Sequence, residues 1–209
     1  VDRGLPAARL DGFQEDLSEK TNVSGFLTLG SLGFLDSSTR AGALTFLPFV
    51  MKNKGTSDQQ ILIMLILLLI GGATGKYICG WLGDRYGPLR LIWGTKGLTA
   101  VLLVVAYIAP TPIMAPLIVV LGIGLNGTSS VLYSTVSSFV PARTRPRAYG
   151  YYYTISEIGG SIAPIFYGRI ADLLNIRITI AVMSVITALI LPTSLALQSP
   201  LKKTAQKSY

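Results

Sequence analysis

The chain has 209 residues, half of them apolar and only 13% charged, with a formal net charge of +8 and a mean hydropathy of +0.54. This composition excludes an ordinary soluble domain and indicates that the solvent of the chain is a lipid bilayer. The chain contains no histidine and a single cysteine, Cys79, so we expect no disulfide, no metal site and no cofactor. Basic residues separate apolar stretches and do not form one solvated face, which argues against nucleic acid as a partner.

Six apolar stretches are long enough to cross a bilayer as helices, which needs about 20 residues each. We therefore expect an all-α integral membrane protein with six transmembrane helices. Their expected ranges are 23–50, 60–81, 91–109, 112–140, 148–173 and 178–198.

The same pattern predicts the domain organisation. A six-helix bundle is expected at 21–199, between a polar connector at 1–20 and a basic tail at 200–209. The connector lacks the apolar core of a signal peptide, so we interpret it as the end of a cytoplasmic central loop. The chain begins with Val1 and not with Met, which is typical of a fragment of a longer protein.

Lysine and arginine are unevenly distributed between the two sides of the predicted bundle. Eleven lie in the connector, the tail and the loops at 82–90 and 141–147, and only Lys52, Lys54 and Arg177 lie on the opposite side. Because positive charge is retained in the cytoplasm, we expect both termini to be cytoplasmic.

The six helices divide into two triplets, 23–109 and 112–198. Because each triplet has an odd number of helices, the second enters the membrane from the opposite side, and we expect two inverted three-helix repeats. We expect the helix that opens each triplet to be unusually polar and to face a central transport path.

The first helix carries Asp36 and Arg40, one helical turn apart and deep in the membrane. We expect these two residues to pair with each other. An ion at this depth costs at least roughly 2.5–3.5 kcal/mol on insertion scales, so it is a functional candidate by default. The alternative is a self-neutralising pair that only orders the bundle.

The second and third helices are joined by a glycine-rich charged motif. We expect Gly83 and Gly87 to form a tight turn, and Asp84 to cap the next helix or accept hydrogen bonds from a neighbour. An ordinary positive-inside loop would explain the arginines but not the order of the glycines. Lys76 and Lys96 flank this loop and are expected to extend their ammonium groups to the nearby membrane surface. The proposed gating motif comprises Gly80, Leu82, Gly83, Asp84, Arg85, Gly87 and Arg90.

This motif resembles the signature that the major facilitator superfamily carries after its second helix and, in a weaker copy, at the equivalent place in its second half. The segments 147–154, 159–164 and 168–172 resemble the eleventh helix of bacterial members. The resemblance covers nearly the whole chain and implies the carboxy-terminal six-helix half of a twelve-helix transporter. It also implies a bacterial inner (plasma) membrane location and an amino-terminal partner half encoded before Val1.

The fourth helix carries polar residues at a spacing of three to four, which places them on one helix face. The stripe is expected either to face a wet cavity or to form hydrogen bonds between helices. Its members are Asn126, Ser130, Tyr133 or Ser134, and Ser137.

The fifth helix places Tyr153 and Glu157 on one face. Glu157 has no partner within its own helix, so it either takes up a proton or pairs across the bundle with Arg40 or Lys96. The tyrosines at 149 and 151–153 are interpreted first as an interfacial belt and second as a substrate-stacking surface. Gly160, Pro164 and Gly168 recur every four residues, which predicts either a hinge or close helix packing.

Together these features predict a secondary active transporter that moves a small solute by alternating access, with no chemical catalysis. The expected substrate or ion path comprises Asp36, Arg40, Asn126, Ser130, Tyr153 and Glu157. Proton coupling is one option, with Glu157 favoured over Asp36 because Asp36 has Arg40 nearby. The alternatives are a non-transporting six-helix scaffold or receptor, and a half-size transporter that acts as a dimer.

Overall fold

The computed structural model describes residues 22–198, and it forms the expected bundle of six long helices. The predicted connector at 1–20 and tail at 200–209 lie outside the described residues. The helices are α1 (Val23–Asn53), α2 (Asp58–Tyr86), α3 (Pro88–Ile108), α4 (Met114–Thr135), α5 (Arg145–Leu173) and α6 (Ile176–Ser194). Single 3-10 turns follow at Thr111–Ile113, Val136–Ser138, Ala142–Thr144 and Leu195–Leu197.

Local sequence explains where these helices begin. The side chain of Asn22 accepts a hydrogen bond from the backbone of Gly25 at the start of α1, and Asn175 does the same for Ile178 at the start of α6. At the start of α2, Ser57 and Gln60 bond reciprocally to each other's backbone amide groups. Each contact satisfies an N–H group that has no partner inside the helix.

The connection between α2 and α3 is a single residue, Gly87, and this corrects the expectation of an open loop at 82–90. Gly87 has φ +84°, a conformation that glycine adopts without steric penalty, and Pro88 starts the next helix. Gly83 lies inside α2 and does not take part in the bend. The start of α3 has no side-chain cap, so Asp84 does not fill that role.

Four of the six helices are long and apolar enough to span a membrane by composition alone, namely α2, α3, α4 with its flanking turns, and α6. The two that fall short are α1 and α5. The expectation that the opening helix of each triplet would be the polar one is therefore correct for α1 and wrong for α4. In the second triplet, the polar helix is the second one.

Packing between the helices crosses the boundary of the triplets. The most extensive interfaces are α2 with α4 and α1 with α5, and the next pairs α3 with α6. The first helix of each triplet thus packs on the second helix of the other, and the two third helices pack together. This exchange is the pattern that two inverted repeats related by a two-fold axis produce.

Glycines allow these paired helices to approach to backbone contact. A methyl group added at Gly71 of α2 would lie 2.2 Å from the carbonyl oxygen of Val119 in α4. One added at Gly159 of α5 would lie 2.3 Å from the carbonyl oxygen of Phe34 in α1. Both crossed pairs are therefore held by close packing of small residues, as is typical of helices in membranes.

Lys54, in the connection between α1 and α2, closes the end of α3. Its Nζ donates hydrogen bonds to the carbonyl oxygens of Ala106 at 2.8 Å and Ala109 at 2.5 Å. The first carbonyl belongs to the last turn of the helix and the second to the residue that follows it, and neither has a partner within the helix. Burial in this position lowers the pKa of Lys54.

Candidate functional site

A cavity of about 390 Å³ lies between the two crossed helix pairs. Side chains of α1 and α5 form one wall, and side chains of α2 and α4 form the other. Every lining residue except Gly33 has a polar atom in its side chain. The lining consists of Gly33, Asp36, Ser37, Arg40, Lys76, Ser129, Ser130, Tyr133, Tyr152, Tyr153, Ser156 and Glu157.

Asp36, which belongs to the cavity lining, forms an ion pair with Lys96 of α3, which does not. The Lys96 side chain is fully buried and that of Asp36 is 3% exposed. Two expectations are therefore wrong. Asp36 does not pair with Arg40, although the two are one turn apart, and Lys96 does not extend to the membrane surface. The reason is that α3, which packs mainly against α6 and α4, carries the long Lys96 side chain that reaches the carboxylate from another helix.

Arg40 pairs across the cavity wall with Glu157 of α5. The distance from Arg40 Nη2 to Glu157 Oε1 is 3.5 Å, and the same Nη2 donates a hydrogen bond to Ser37 Oγ at 2.9 Å. Of the two alternatives for Glu157, the structure shows pairing across the bundle. The Glu157 side chain remains 47% exposed, so the pair is open to the cavity.

Lys76 lines the cavity from α2, and this corrects the expectation that it extends to the surface. The predicted helix ended at residue 81, but α2 continues to Tyr86. Ten further residues of helix amount to about 15 Å, so Lys76 lies much deeper than the sequence suggested. Within residues 22–198 it makes no ion pair and no hydrogen bond.

The polar stripe of α4 divides between the cavity and the helix interface. Ser130 lines the cavity, as expected for a path residue. Asn126 does not. Its Nδ2 donates to the carbonyl oxygen of Gly122 at 3.4 Å, and its side chain fills the space beside Gly72 of α2. Sequence spacing could not distinguish these two environments, because a polar stripe one residue wide can either pack against another helix or line a cavity.

Tyrosines form an aromatic cluster at the cavity. The rings of Tyr133 and Tyr149 lie 4.6 Å apart, and those of Tyr133 and Tyr152 lie 6.2 Å apart. Tyr152 is only 4% exposed, so it is not part of an interfacial belt. Tyr153 lines the cavity and presents an exposed ring.

The motif around Gly87 lies outside the cavity lining. The Arg85 guanidinium sits over the rings of Trp81 and Tyr86, 5.8 Å and 5.7 Å from their centroids. Such contacts favour a cation over an aromatic face. Asp84 makes no ion pair within the described part of the chain, and its role in gating remains a prediction.

The three hinge candidates of α5 differ in their surroundings. Gly160 packs beside Ser37 of α1, where an added methyl group would lie 2.9 Å from Oγ, whereas Gly168 faces open space. The helix continues through Pro164 without interruption. Gly160 therefore lies in a close helix contact, and a hinge remains a prediction for all three residues.

Sequence reasoning did not propose several cavity residues. The sequence does not single out the serines among them, because isolated serines are common in membrane helices. These are Ser37, Ser129 and Ser156. Lys96 could have been found, since a lysine so far inside an apolar stretch needs a buried acid as partner. Within residues 22–198, no three Cys, Asp or Glu side chains come together in a group that could hold a metal ion.

Residues 29–208 match the sequence profile of the Major Facilitator Superfamily. The chain belongs to the major facilitator superfamily. It is an integral membrane protein of that family, and its six helices correspond to one half of the fold.

The chain resembles several curated transporters at moderate identity. It is 30% identical over 130 residues to the gentisate transporter of Corynebacterium glutamicum, covering 61% of this chain and 29% of that protein. It is 28% identical over 161 residues to the 4-hydroxybenzoate transporter PcaK of Pseudomonas aeruginosa, covering 76% and 35%. It is 24% identical over 123 residues to the probable sulfoacetate transporter SauU of Cupriavidus necator, covering 56% and 27%. These alignments span about a third of the length of the curated relatives.

Proposed function

We propose that this chain is one half of a secondary transporter that moves a small organic acid across the membrane by alternating access. The observation that carries the proposal is the polar cavity between the two crossed helix pairs, with its ion pairs at membrane depth. Charged groups are expensive in a membrane and are kept where they serve a path for solutes or ions. We expect no chemical catalysis.

Ion pairs between helices are suited to a transporter because they can exchange partners when helices move. Arg40 joins α1 to α5 through Glu157, and Asp36 joins α1 to α3 through Lys96. Both pairs start from the same helix. A movement of α1 relative to its neighbours would therefore alter the charges that face the cavity.

The substrate class comes from the relatives. Their names specify gentisate, 4-hydroxybenzoate and sulfoacetate, all of which are small organic acids. The cavity here offers cationic side chains together with tyrosine rings. These groups suit the carboxylate and the ring of an aromatic acid.

Proton coupling, if the transporter uses it, would run through Asp36 or Glu157. The contact between Glu157 and Arg40 weakens the preference for Glu157 as an acid without a partner. However, Glu157 is the more exposed of the two acids and lies where protons and substrate can reach it. We therefore retain Glu157 as the first candidate.

The remaining assignments concern the whole protein. We propose that an amino-terminal six-helix half completes the cavity, that both termini face the cytoplasm of a bacterial cell, and that the motif at 80–90 controls the cytoplasmic gate. The Lys and Arg distribution supports the orientation.

Reconstitution in liposomes tests the proposal. The full-length protein containing this chain should take up radiolabelled gentisate or 4-hydroxybenzoate, with a rate that saturates and falls when Arg40 is changed to Gln. Residues 1–209 alone should give no flux above empty liposomes. Saturable flux by residues 1–209 would favour a dimeric half-transporter, and a full-length protein without any flux would favour a scaffold or receptor.

A further inference from the structure

The charges at the cavity do not cancel. Five charged side chains lie in its walls or directly behind them, and they include three cations and two acids. Asp36 neutralises Lys96, and Glu157 neutralises Arg40. Lys76 remains, which gives this group of residues a formal charge of +1.

Lys76 differs from the other cations in its surroundings. It lies in the second half of α2, it is exposed at the cavity, and it makes no ion pair or hydrogen bond within residues 22–198. Arg40, in contrast, has an acid and a hydroxyl group as partners. An ammonium group at this depth is stabilised when an anion reaches it.

We propose that Lys76 binds the carboxylate of the transported acid, and that the net positive charge that this chain contributes to the cavity favours a monoanion over neutral and dianionic compounds. This inference rests on the proposed transport function and adds the residue and the charge class. A single carboxylate would bring the five side chains and the ligand to a net charge of zero. A neutral compound would leave Lys76 unpaired, and a dianion would leave one negative charge without a partner.

Neighbouring groups fit the rest of such a ligand. Ser130 and Tyr133 of α4 share the cavity wall with Lys76, and Tyr153 presents an exposed ring from the opposite wall. Hydroxyl groups can bond polar substituents, and tyrosine rings can pack on an apolar or aromatic body. These contacts would add to affinity without changing the preference for one negative charge.

Equilibrium binding to the purified full-length protein tests the inference with three probes of similar shape. They are 4-hydroxybenzoate as monoanion, 4-hydroxybenzamide as neutral analogue and terephthalate as dianion. The wild type should bind the monoanion about tenfold or more tightly than either other probe, which corresponds to one charge-assisted contact. Lys76→Gln should lose about tenfold or more for 4-hydroxybenzoate and bind the amide as the wild type does.

Two further variants make the result decisive. Lys76→Arg keeps the charge and should keep most of the affinity for the acid. Arg169→Gln removes an exposed cation of α5 outside the cavity lining and should behave as the wild type. If Lys76→Gln also loses affinity for 4-hydroxybenzamide, Lys76→Arg decides the question. Binding of 4-hydroxybenzoate by Lys76→Arg at wild-type affinity supports the inference, and loss of that binding overturns it.

The outcomes separate the two proposals. Wild-type affinity of Lys76→Gln for 4-hydroxybenzoate would overturn the role of Lys76 and leave the transport function standing. Tighter binding of the amide or of terephthalate by the wild type would overturn the charge preference. A wild-type protein that neither binds nor transports any of these acids would overturn both.

Discussion

Asp36 and Lys96 form an ion pair that is closed to solvent, with the lysine fully buried and the aspartate side chain 3% exposed. The two residues belong to α1 and α3, so the pair joins the cavity wall to a helix that contributes no residue to the lining. Removing one partner of such a pair leaves an uncompensated buried charge, whereas removing both does not.

The Asp36–Lys96 pair gives a prediction for stability. Lys96→Met should lower the free energy of unfolding by about 3–5 kcal/mol, measured by denaturation in detergent. The double variant Asp36→Leu with Lys96→Met should recover most of that loss. If the single variant is as stable as the wild type, the pair is not closed to solvent. If the double variant is stable but inactive, the pair is required for transport.

Glu157 gives a prediction for coupling. In the full-length protein, Glu157→Gln should abolish uptake driven by a proton gradient while substrate exchange across the membrane persists, because only the proton site is lost. Counterflow and gradient-driven uptake in liposomes distinguish the two. Concentrative uptake with normal pH dependence in this variant would limit Glu157 to holding Arg40 in place.

Close packing of α2 on α4 predicts that Gly71 cannot be enlarged. Gly71→Ala places a methyl group 2.2 Å from the carbonyl oxygen of Val119, so the helices must move apart. We expect a loss of stability of about 1–3 kcal/mol, read as a lower melting temperature. Gly97→Ala is the matched control, since nothing lies within 4 Å of that position and alanine is the better helix former. Equal melting temperatures for the two variants would contradict the packing.

The orientation predicts which sites are labelled from outside the cell. In a Cys79→Ser background, a cysteine introduced at Arg145 should react with a membrane-impermeant maleimide only after the cells are opened. A cysteine at Lys52 should react in intact cells. The reverse result would invert the proposed topology.

Lys54 gives a prediction for pH dependence. Lys54→Met removes both hydrogen bonds to the end of α3 and should lower the melting temperature. Burial lowers the pKa of Lys54 from 10.5, so the unfolded chain binds the proton more readily than the folded one. Stability of the wild type should therefore rise with pH between the folded and unfolded pKa values, and Lys54→Met should lack this increment. A pH profile identical in both proteins would contradict this.

The sequence was sufficient to place the helices along the chain, but not to predict which charged residues pair between them. Apolar stretches have the length that a bilayer requires, so six helices could be placed within a few residues. The prediction of the ion pairs was wrong because the spacing rule that links Asp36 to Arg40 considers a single helix. In the structure the partners of these two residues come from α3 and α5. The predicted depth of Lys76 was wrong for a related reason. The charged residues at 84 and 85 indicate the end of the span, although α2 continues past them.

The crossed packing of the triplets also affects the order of assembly. The main partner of α1 is α5, and the chain between Asn53 and Arg145 must be synthesised before that partner exists. During this interval Arg40 has no Glu157 and, at first, Asp36 has no Lys96. The polar helix α1 is therefore made before its neighbours exist, and the glycine contacts of α1 with α5 can form only after α2, α3 and α4 have been synthesised.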